Sequence, residues 1–101
     1  MEIFERSIQI EVATIFYQTC GTKGNPPLLF LHGWPGYLLE KTNILPTLAK
    51  HFYVIAPVHP GLRKSDPLSQ YTNIFEQYAD VAAAILLKEK LLEQRVIVMG
   101  Q

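Results

Sequence analysis

The segment His32-Gly33-Trp34-Pro35-Gly36 has the residue types and spacing in this chain that best suit chemistry. It directly follows four apolar residues, 28–31, that are typical of a buried strand. Ligands of open α/β sheets collect at the carboxyl ends of strands, which is where this segment lies. Its glycines allow a sharp turn that brings backbone N–H groups close to a ligand. The alternative is a tight strand-to-helix turn with Trp34 packed over the core, and the spacing fits both.

A second segment, residues 56–67, follows the next apolar run and is predicted to lie at the same edge of the sheet. It has three prolines and one glycine within twelve residues, which indicates a long connection. It either lines a ligand site or forms an ordinary solvated loop, and the loop is favoured. Its basic pair, Arg63 and Lys64, is too short to bind nucleic acid.

Metal and cofactor sites are not predicted. The histidines His32, His51 and His59 lack paired metal-ligand spacing, and Cys20 has no second cysteine beside it. His51 is expected on the surface and His32 in a structural turn, while Cys20 is expected in an unreactive loop. No phosphate loop and no dinucleotide fingerprint is present in the sequence.

Length and charge exclude several kinds of partner. The 101 residues fit one domain or a piece of one, and we treat residues 1–101 as a single partial domain. Nine basic and nine acidic residues cancel, so no field favours nucleic acid or an anionic membrane. We find no signal peptide and no apolar run of about 20 residues. A soluble, cytoplasmic protein is therefore expected.

Hydrophobic patterning predicts an α/β fold. Alternation within residues 7–17 predicts a strand with one wet face, and a second short strand is predicted at 14–18. Three continuous apolar runs predict strands covered on both faces, at residues 28–31, 52–56 and 96–99. Helices are predicted at 37–50, where Pro46 starts or kinks the regular part, and from Asn73 onward. An antiparallel start followed by alternating strands and helices indicates a largely parallel sheet.

The second helix carries the clearest pattern. Asn73 is a candidate N-cap, and Glu76 stands where a capping box places its acidic residue. One apolar stripe is predicted to face the core, made of Ile74, Tyr78, Val81, Ile85 and Leu92, with Phe75, Ala82 and Leu86 beside it.

Taken together, these segments resemble the α/β-hydrolase-fold enzymes of the HGxP type. Residues 28–36 look like the HGxP segment of that family, and residues 54–66 are similar to its V-I-A-P-D-x-P-G-x-G-x-S-D stretch. Residues 96–101 match the approach to the nucleophile elbow, Gly-x-Nuc-x-Gly. The match covers nearly the whole chain in order, so it implies the amino-terminal part of an α/β-hydrolase fold.

Two residues depart from the family pattern. Val58 stands where the family usually has Asp, and Arg63 where it often has Gly. Because that Asp commonly ties its loop to neighbouring backbone, the loop after the fourth strand is expected to be arranged differently here. Neither change removes a reacting group.

The resemblance also implies where the chemistry lies. Gly100 and Gln101 would begin the elbow, so the nucleophile would be the next residue and this chain would hold no catalytic residue. The backbone N–H of Trp34 would form half of an oxyanion hole, within a turn made by His32, Gly33, Pro35 and Gly36. Neither His32 nor His59 would serve as the catalytic histidine, which follows the last strand in this family.

The function that the resemblance implies is that of a hydrolase segment, whose full-length enzyme would act on a small-molecule substrate. We expect a serine-type enzyme that acts on ester-like bonds through an acyl-enzyme, because Asp-nucleophile members more often have His at the position of Gln101. The alternatives are an epoxide hydrolase or haloalkane dehalogenase with an Asp nucleophile, and a short non-catalytic binding protein. The last must shield the apolar strand at residues 96–99, which would otherwise be an open edge. The 101 residues alone are expected to be inactive.

Overall fold

A computed structural model describes residues 2–32, 44–61, 65–68 and 73–100. Its five strands form one mixed sheet in the order β1-β2-β4-β3-β5. The strands are β1 (Ile3–Ile10), β2 (Ala13–Cys20), β3 (Pro27–Leu31), β4 (Tyr53–Pro57) and β5 (Ile97–Gly100). The helices are α1 (Ile44–Leu48) and α2 (Ile74–Lys88). β1, β2 and β4 pair antiparallel, whereas β3 runs parallel to both β4 and β5. The predicted α/β fold with an antiparallel start is confirmed.

The first two strands form a hairpin whose turn differs from the prediction. The structure turns at Glu11 and Val12, between paired Ile10 and Ala13. Val12, which is predicted to be an apolar residue of the alternating strand, is 99% exposed in this turn. Glu11 takes a positive φ of 59°, which is uncommon outside glycine. The prediction of one strand through residue 12 is wrong because neither turn residue belongs to the types that usually mark a tight hairpin turn.

The second strand also extends further than predicted, through Cys20. This thiol is therefore buried at the end of β2 rather than lying in a loop, and burial raises its pKa. The loop begins with Gly21, whose φ is 107°. A Cβ at this position would lie 2.4 Å from the backbone oxygen of Phe52, so only glycine fits here.

The core has two layers, one on each face of the sheet. Because neighbouring strand residues point to opposite faces, the continuous apolar runs of β3 and β4 are buried on both sides, as predicted. On one face α2 packs Val81, Ala82 and Ile85 against the sheet. On the other face Leu45 and Ala49, in and just after α1, pack against residues that include Phe30 and Val54.

Helix α2 confirms its predicted cap, but it does not bury the whole predicted stripe. The Asn73 side chain accepts hydrogen bonds from the N–H groups of Phe75 at 2.9 Å and Glu76 at 3.2 Å. Ile74 and Phe75 are nevertheless exposed, because the helix packs its buried residues on the sheet only from Val81 onward.

The prediction for Leu92 is also wrong. The helix ends at Lys88, and Lys90 takes a positive φ of 62°, so the helical period stops before Leu92. Leu92 is therefore exposed rather than part of the buried stripe.

The remaining predictions have mixed outcomes. Of the predicted helix at 37–50, residues 37–43 lie outside the described residues, and Pro46 falls in the first turn of α1, where its missing N–H costs little. Strand β5 lies at the sheet edge, with Ile97 and Val98 exposed. It is thus not covered on both faces by the described residues. Among the described residues, no helix is long and apolar enough to cross a membrane.

Candidate active site

The carboxyl ends of three parallel strands place the candidate site. β3 lies between β4 and β5, and all three run in the same direction. The register pairs Leu31, the last residue of β3, with Gly100, the last residue of β5. His32 follows Leu31 directly, so the predicted turn after β3 and the predicted elbow after β5 begin side by side at the carboxyl ends of these strands. Of the other candidate residues, Gly33, Trp34, Pro35, Gly36 and Gln101 lie outside the described residues.

At this edge the segments that follow β3 and β4 are bound to each other by two histidines. The backbone N–H of His59 donates to Nε2 of His32 at 3.2 Å. In return, Nε2 of His59 lies 3.0 Å from the backbone carbonyl oxygen of His32. The two residues are only 3% and 6% exposed, and their ring centroids are 4.2 Å apart. We call this pair of hydrogen bonds the His32–His59 clamp.

The clamp fixes where each imidazole carries its proton. Nε2 of His32 accepts a hydrogen bond from an N–H group, so that nitrogen has no proton. A carbonyl oxygen only accepts, so Nε2 of His59 must be the protonated nitrogen of its ring. The His59 ring also stacks on Tyr78 of α2, with centroids 3.9 Å apart and an angle of 8° between the planes.

His59 is uncharged at neutral pH because it is buried. Burial, together with the neighbouring His32, lowers the pKa of His59 to about 4, although the hydrogen bond to the His32 backbone acts in the opposite direction. At neutral pH this ring is therefore a neutral hydrogen-bond donor. It is a hydrogen-bond donor to backbone in this structure.

The segment after β4 is not the solvated loop that was favoured. Val58, His59 and Pro60 are all buried, and so are Ser65 and Leu68. Val58, in the position of the usual Asp, donates its N–H to the carbonyl of Phe16 at 2.9 Å. An apolar side chain fits at this position because the site is covered. Arg63 and Lys64 lie outside the described residues.

Two polar residues of this segment bind the backbone of β2. β4 ends at Pro57, opposite Tyr17, so the β2 residues before Tyr17 have no partner strand on the side away from β1. Ser65 Oγ accepts the N–H of Phe16 at 2.9 Å, and Asp66 Oδ2 accepts the N–H of Thr14 at 2.9 Å. Asp66 also donates its own N–H to the Thr14 carbonyl. The two side chains thus take the place of a strand and hold the segment along β2.

Sequence reasoning did not find these roles. Ser65 and Asp66 enter the prediction only as the last two residues of the family motif, and Tyr78 is predicted to lie in the apolar stripe of α2. A polar Ser-Asp pair directly after a Pro- and Gly-rich segment was the available signal for the β2 contact. The stack of His59 on Tyr78 joins residues 19 positions apart, and no local pattern marks it.

A second buried polar cluster surrounds Glu89, which directly follows α2. Glu89 accepts hydrogen bonds from the hydroxyls of Tyr17 at 2.6 Å and Tyr53 at 2.7 Å. Burial alone would raise the pKa of Glu89, but these two bonds, with Lys23 and Arg6 nearby, hold it below its usual value. Burial and the Glu89 hydrogen bond raise the pKa of Tyr53 to about 12. The protons thus stay on the tyrosines.

Metal binding finds no support in the described ranges. Among residues 2–32, 44–61, 65–68 and 73–100, no three His, Cys, Asp or Glu side chains are grouped closely enough to hold an ion. His51, which was expected on the surface, is exposed just after α1.

Solved structures share this arrangement of strands. A haloalkane dehalogenase from Bradyrhizobium elkani USDA94, DbeA, matches 99% of this chain with a TM-score of 0.81 and 26% identity, over 33% of its own length. The epoxide hydrolase CorEH matches 99% of this chain with a TM-score of 0.77 and 33% identity, over 34% of its length. A thioesterase domain from the curacin biosynthetic pathway, at 20% identity and a TM-score of 0.77, shares the fold.

Curated relatives match by sequence. An uncharacterized hydrolase of Saccharomyces cerevisiae is 32% identical over 72 residues, which is 71% of this chain and 25% of the relative. A soluble epoxide hydrolase of Corynebacterium sp. strain C12 is 40% identical over 65 residues, which is 64% of this chain and 22% of the relative. The chain thus spans about a quarter of the length of these relatives. The sequence profile of the alpha/beta hydrolase fold matches residues 26–101, about three quarters of the chain. By that match, the chain belongs to the alpha/beta hydrolase fold family.

Proposed function

We propose that this chain supplies the amino-terminal part of a hydrolase whose substrate binds at the carboxyl edge of β3, β4 and β5. The observation that carries the proposal is the register of β3 and β5, which brings Gly100 beside Leu31 and hence the proposed elbow beside His32. The nucleophile follows Gln101 on this proposal, and the N–H of Trp34 is one of two oxyanion donors.

The first candidate reaction uses a carboxylate nucleophile on an epoxide or a haloalkane. It is supported by the similarity to a soluble epoxide hydrolase, an epoxide hydrolase structure and a haloalkane dehalogenase structure. A carboxylate oxygen attacks a carbon atom of the substrate. In an epoxide the ring C–O bond breaks and its oxygen takes up a proton, whereas in a haloalkane the carbon–halogen bond breaks and a halide ion leaves. Water then attacks the carbonyl carbon of the resulting ester, and the Trp34 N–H stabilises the oxyanion that forms.

The second candidate is a serine nucleophile acting on an ester. Gln101 favours it, because the resemblance associates His rather than Gln with Asp-nucleophile members at this position. The hydroxyl attacks the ester carbonyl, the alcohol leaves, and water releases the acid from the acyl-enzyme. The Trp34 N–H would stabilise the oxyanion in both steps, and losing one such donor costs about 3–4 kcal/mol of transition-state stabilisation.

Among the described residues, the polar side chains that follow β3 and β4 are bound to backbone. The clamp histidines are occupied with backbone, and Ser65 Oγ is bonded to the Phe16 N–H. We therefore expect residues 1–101 alone to have no hydrolase activity, and the nucleophile, acid and catalytic histidine to lie in further polypeptide.

A single-turnover experiment in H₂¹⁸O separates the two candidates. The native polypeptide, in excess, is given an epoxide in one reaction and an activated ester in another, and the products are weighed by mass spectrometry. With a carboxylate nucleophile, the diol takes its new oxygen from the enzyme and carries no label in the first turnover. With a serine nucleophile, water attacks the acyl carbon and the acid carries one ¹⁸O atom.

The outcomes are distinct. Unlabelled diol supports the carboxylate reaction, and a second turnover on the same enzyme should then give labelled diol as an internal control. Labelled acid with an inert epoxide supports the serine reaction. A native polypeptide that turns over no epoxide, haloalkane or ester contradicts the proposed function.

A further inference from the structure

The outer edge of β1 is a surface on which a further strand could pair. β1 lies at the end of the sheet opposite β5, and among the described residues it pairs only with β2. An edge strand presents backbone N–H and C=O groups to which another strand can bind. Residues 2–7 are all exposed, whereas Ile8 and Ile10 are partly buried against the cluster that contains α2. Lys88 of α2 also donates to the Ser7 carbonyl, so the helix contacts β1 from Ser7 onward and leaves the first half exposed.

The charges of this first half decide which strand complements it. Glu2, Phe4 and Arg6 lie on one face of the sheet, because side chains alternate along a strand. Phe4 is 48% exposed, and the guanidinium carbon of Arg6 lies 5.7 Å from the centre of its ring. When two copies pair antiparallel about a twofold axis, the residue on the axis faces itself, and the residues two positions before and after it face each other. An axis through Phe4 therefore places Glu2 of one copy opposite Arg6 of the other, and does so twice.

Other registers lack this complementarity. An axis through Glu5 or Arg6 places like charges directly opposite each other, which destabilises a strand pair. An axis through Ser7 places Arg6 opposite Ile8 and brings no opposite charges together. Of the registers centred on residues 3–8, only the one through Phe4 pairs opposite charges. It also keeps the α2 helices of the two copies at opposite ends of the pair, since each contacts its own β1 from Ser7 onward.

We propose that the first half of β1 binds a second copy of this chain, so that two sheets join across a twofold axis at Phe4. The occupant is a second copy because the charges of this strand complement the same strand in the antiparallel direction. One short strand from each copy buries less than the about 1,600 Å² of a standard interface, so the dimer dissociates on dilution. This surface goes beyond the proposed function, and none of its tests depends on turnover.

Charge reversals in the native polypeptide test the register. Glu2→Arg sets cations opposite each other, and Arg6→Glu sets carboxylates opposite each other, in both cases twice in the dimer. Each variant alone should lower the association constant of the dimer by about tenfold or more, measured by sedimentation over a range of concentrations. An equal mixture of the two variants should regain most of the lost association, because every cation then faces a carboxylate. Glu93→Arg, at an exposed position after α2, is the matched control and should stay within about twofold of wild type.

A cysteine on the proposed axis tests the geometry directly. Directly opposed residues of an antiparallel pair have Cα atoms about 4.5–5.5 Å apart, a separation that a disulfide can span. Under mild oxidation, Phe4→Cys should therefore form a covalent dimer about tenfold faster than Phe75→Cys, whose position on α2 is 80% exposed. Cys20 is buried, so its thiol should not compete.

Three results overturn the proposal. One is a native polypeptide that stays monomeric as its concentration rises, which is also the outcome if another segment of that polypeptide covers β1. The second is a dimer whose association constant is unchanged in Glu2→Arg. The third is a disulfide that forms no faster in Phe4→Cys than in Phe75→Cys. Arg6 also donates to the Thr19 hydroxyl at 3.0 Å, so if Arg6→Glu fails to fold, the variants of exposed Glu2 and Phe4 decide the outcome.

Discussion

Two buried ionisable residues in this chain meet the cost of burial in opposite ways. His59 is kept neutral, because its partners are a carbonyl oxygen, a second imidazole and an aromatic ring. Glu89 is kept charged, because two hydroxyls donate to its oxygens and Lys23 lies 4.0 Å away. A buried charge is stable only with such partners, whereas a buried neutral ring needs a single satisfied N–H. The charged residue therefore lies beside two tyrosine hydroxyls just after α2, and the neutral one lies at the candidate site.

Substitution of Glu89 should reveal the strength of its two hydrogen bonds. Glu89→Gln removes the charge while keeping the size of the side chain, and hydrogen bonds to charged groups contribute about 1.5–3 kcal/mol. We expect a loss of about 2 kcal/mol in the free energy of unfolding of the native polypeptide at pH 7, measured in urea. Glu93→Gln, at an exposed position four residues later, is the control and should change it by less than about 0.5 kcal/mol.

The effect of Glu89 should also depend on pH in one direction. The folded pKa of this carboxyl is lower than the unfolded value, so its stabilisation is complete above about pH 4.3, the usual value for glutamate. The stabilisation is lost as the pH falls through the folded pKa. The difference between wild type and Glu89→Gln should therefore shrink in acid, and a difference that stays constant from pH 7 to pH 3 would contradict this account.

At the scale of elements, β2 is longer than β4, its partner on the side away from β1. Ser65 and Asp66 supply the acceptors that β4 would have provided had it continued past Pro57. This contact holds the segment after β4 in the sheet and so fixes the backbone from which His59 extends. The candidate site therefore depends on a contact on β2, which lies two strands away from β3 in the sheet.

Ser65→Ala should weaken this contact measurably. The Phe16 N–H would lose its acceptor in a partly buried position, which costs about 1–2 kcal/mol of stability. Asp66→Ala is the matched comparison and should cost less, because the Thr14 N–H is exposed and water can replace the carboxylate. Amide hydrogen exchange at Phe16 is the direct measurement. Equal exchange rates at Phe16 in wild type and Ser65→Ala would contradict the assignment.

The elements differ in how much of them the sequence could predict. β3 and β4 were predictable because both faces are buried, which leaves an unbroken apolar run. The hairpin turn at Glu11 and Val12 was not, because the backbone there is determined by the pairing of the flanking strands rather than by turn residues. The position of the candidate site, at the carboxyl ends of the strands, was predictable from two glycine-containing segments that follow strands. The His32–His59 clamp was not predictable. It depends on tertiary distances between residues 27 positions apart.

At the scale of the whole molecule, β5 is an edge strand of the sheet with exposed apolar side chains. Among the described residues β5 pairs only with β3, and its Ile97 and Val98 are exposed. An exposed apolar edge strand is a template for pairing with further polypeptide. Under the proposed function, further strands of the same hydrolase cover β5. On the same proposal, this polypeptide supplies the nucleophile at the carboxyl ends of β3 and β5, where Gly100 lies beside Leu31.

The most direct test of this account is the site of the covalent intermediate. The native polypeptide is mixed with its epoxide or ester, quenched in acid during turnover, digested and mapped by mass spectrometry. We predict a substrate adduct on the residue that directly follows Gln101, in a polypeptide heavier than the 11.5 kDa of these 101 residues. An adduct on any residue within positions 1–101, or a native mass of 11.5 kDa with turnover, would contradict the account.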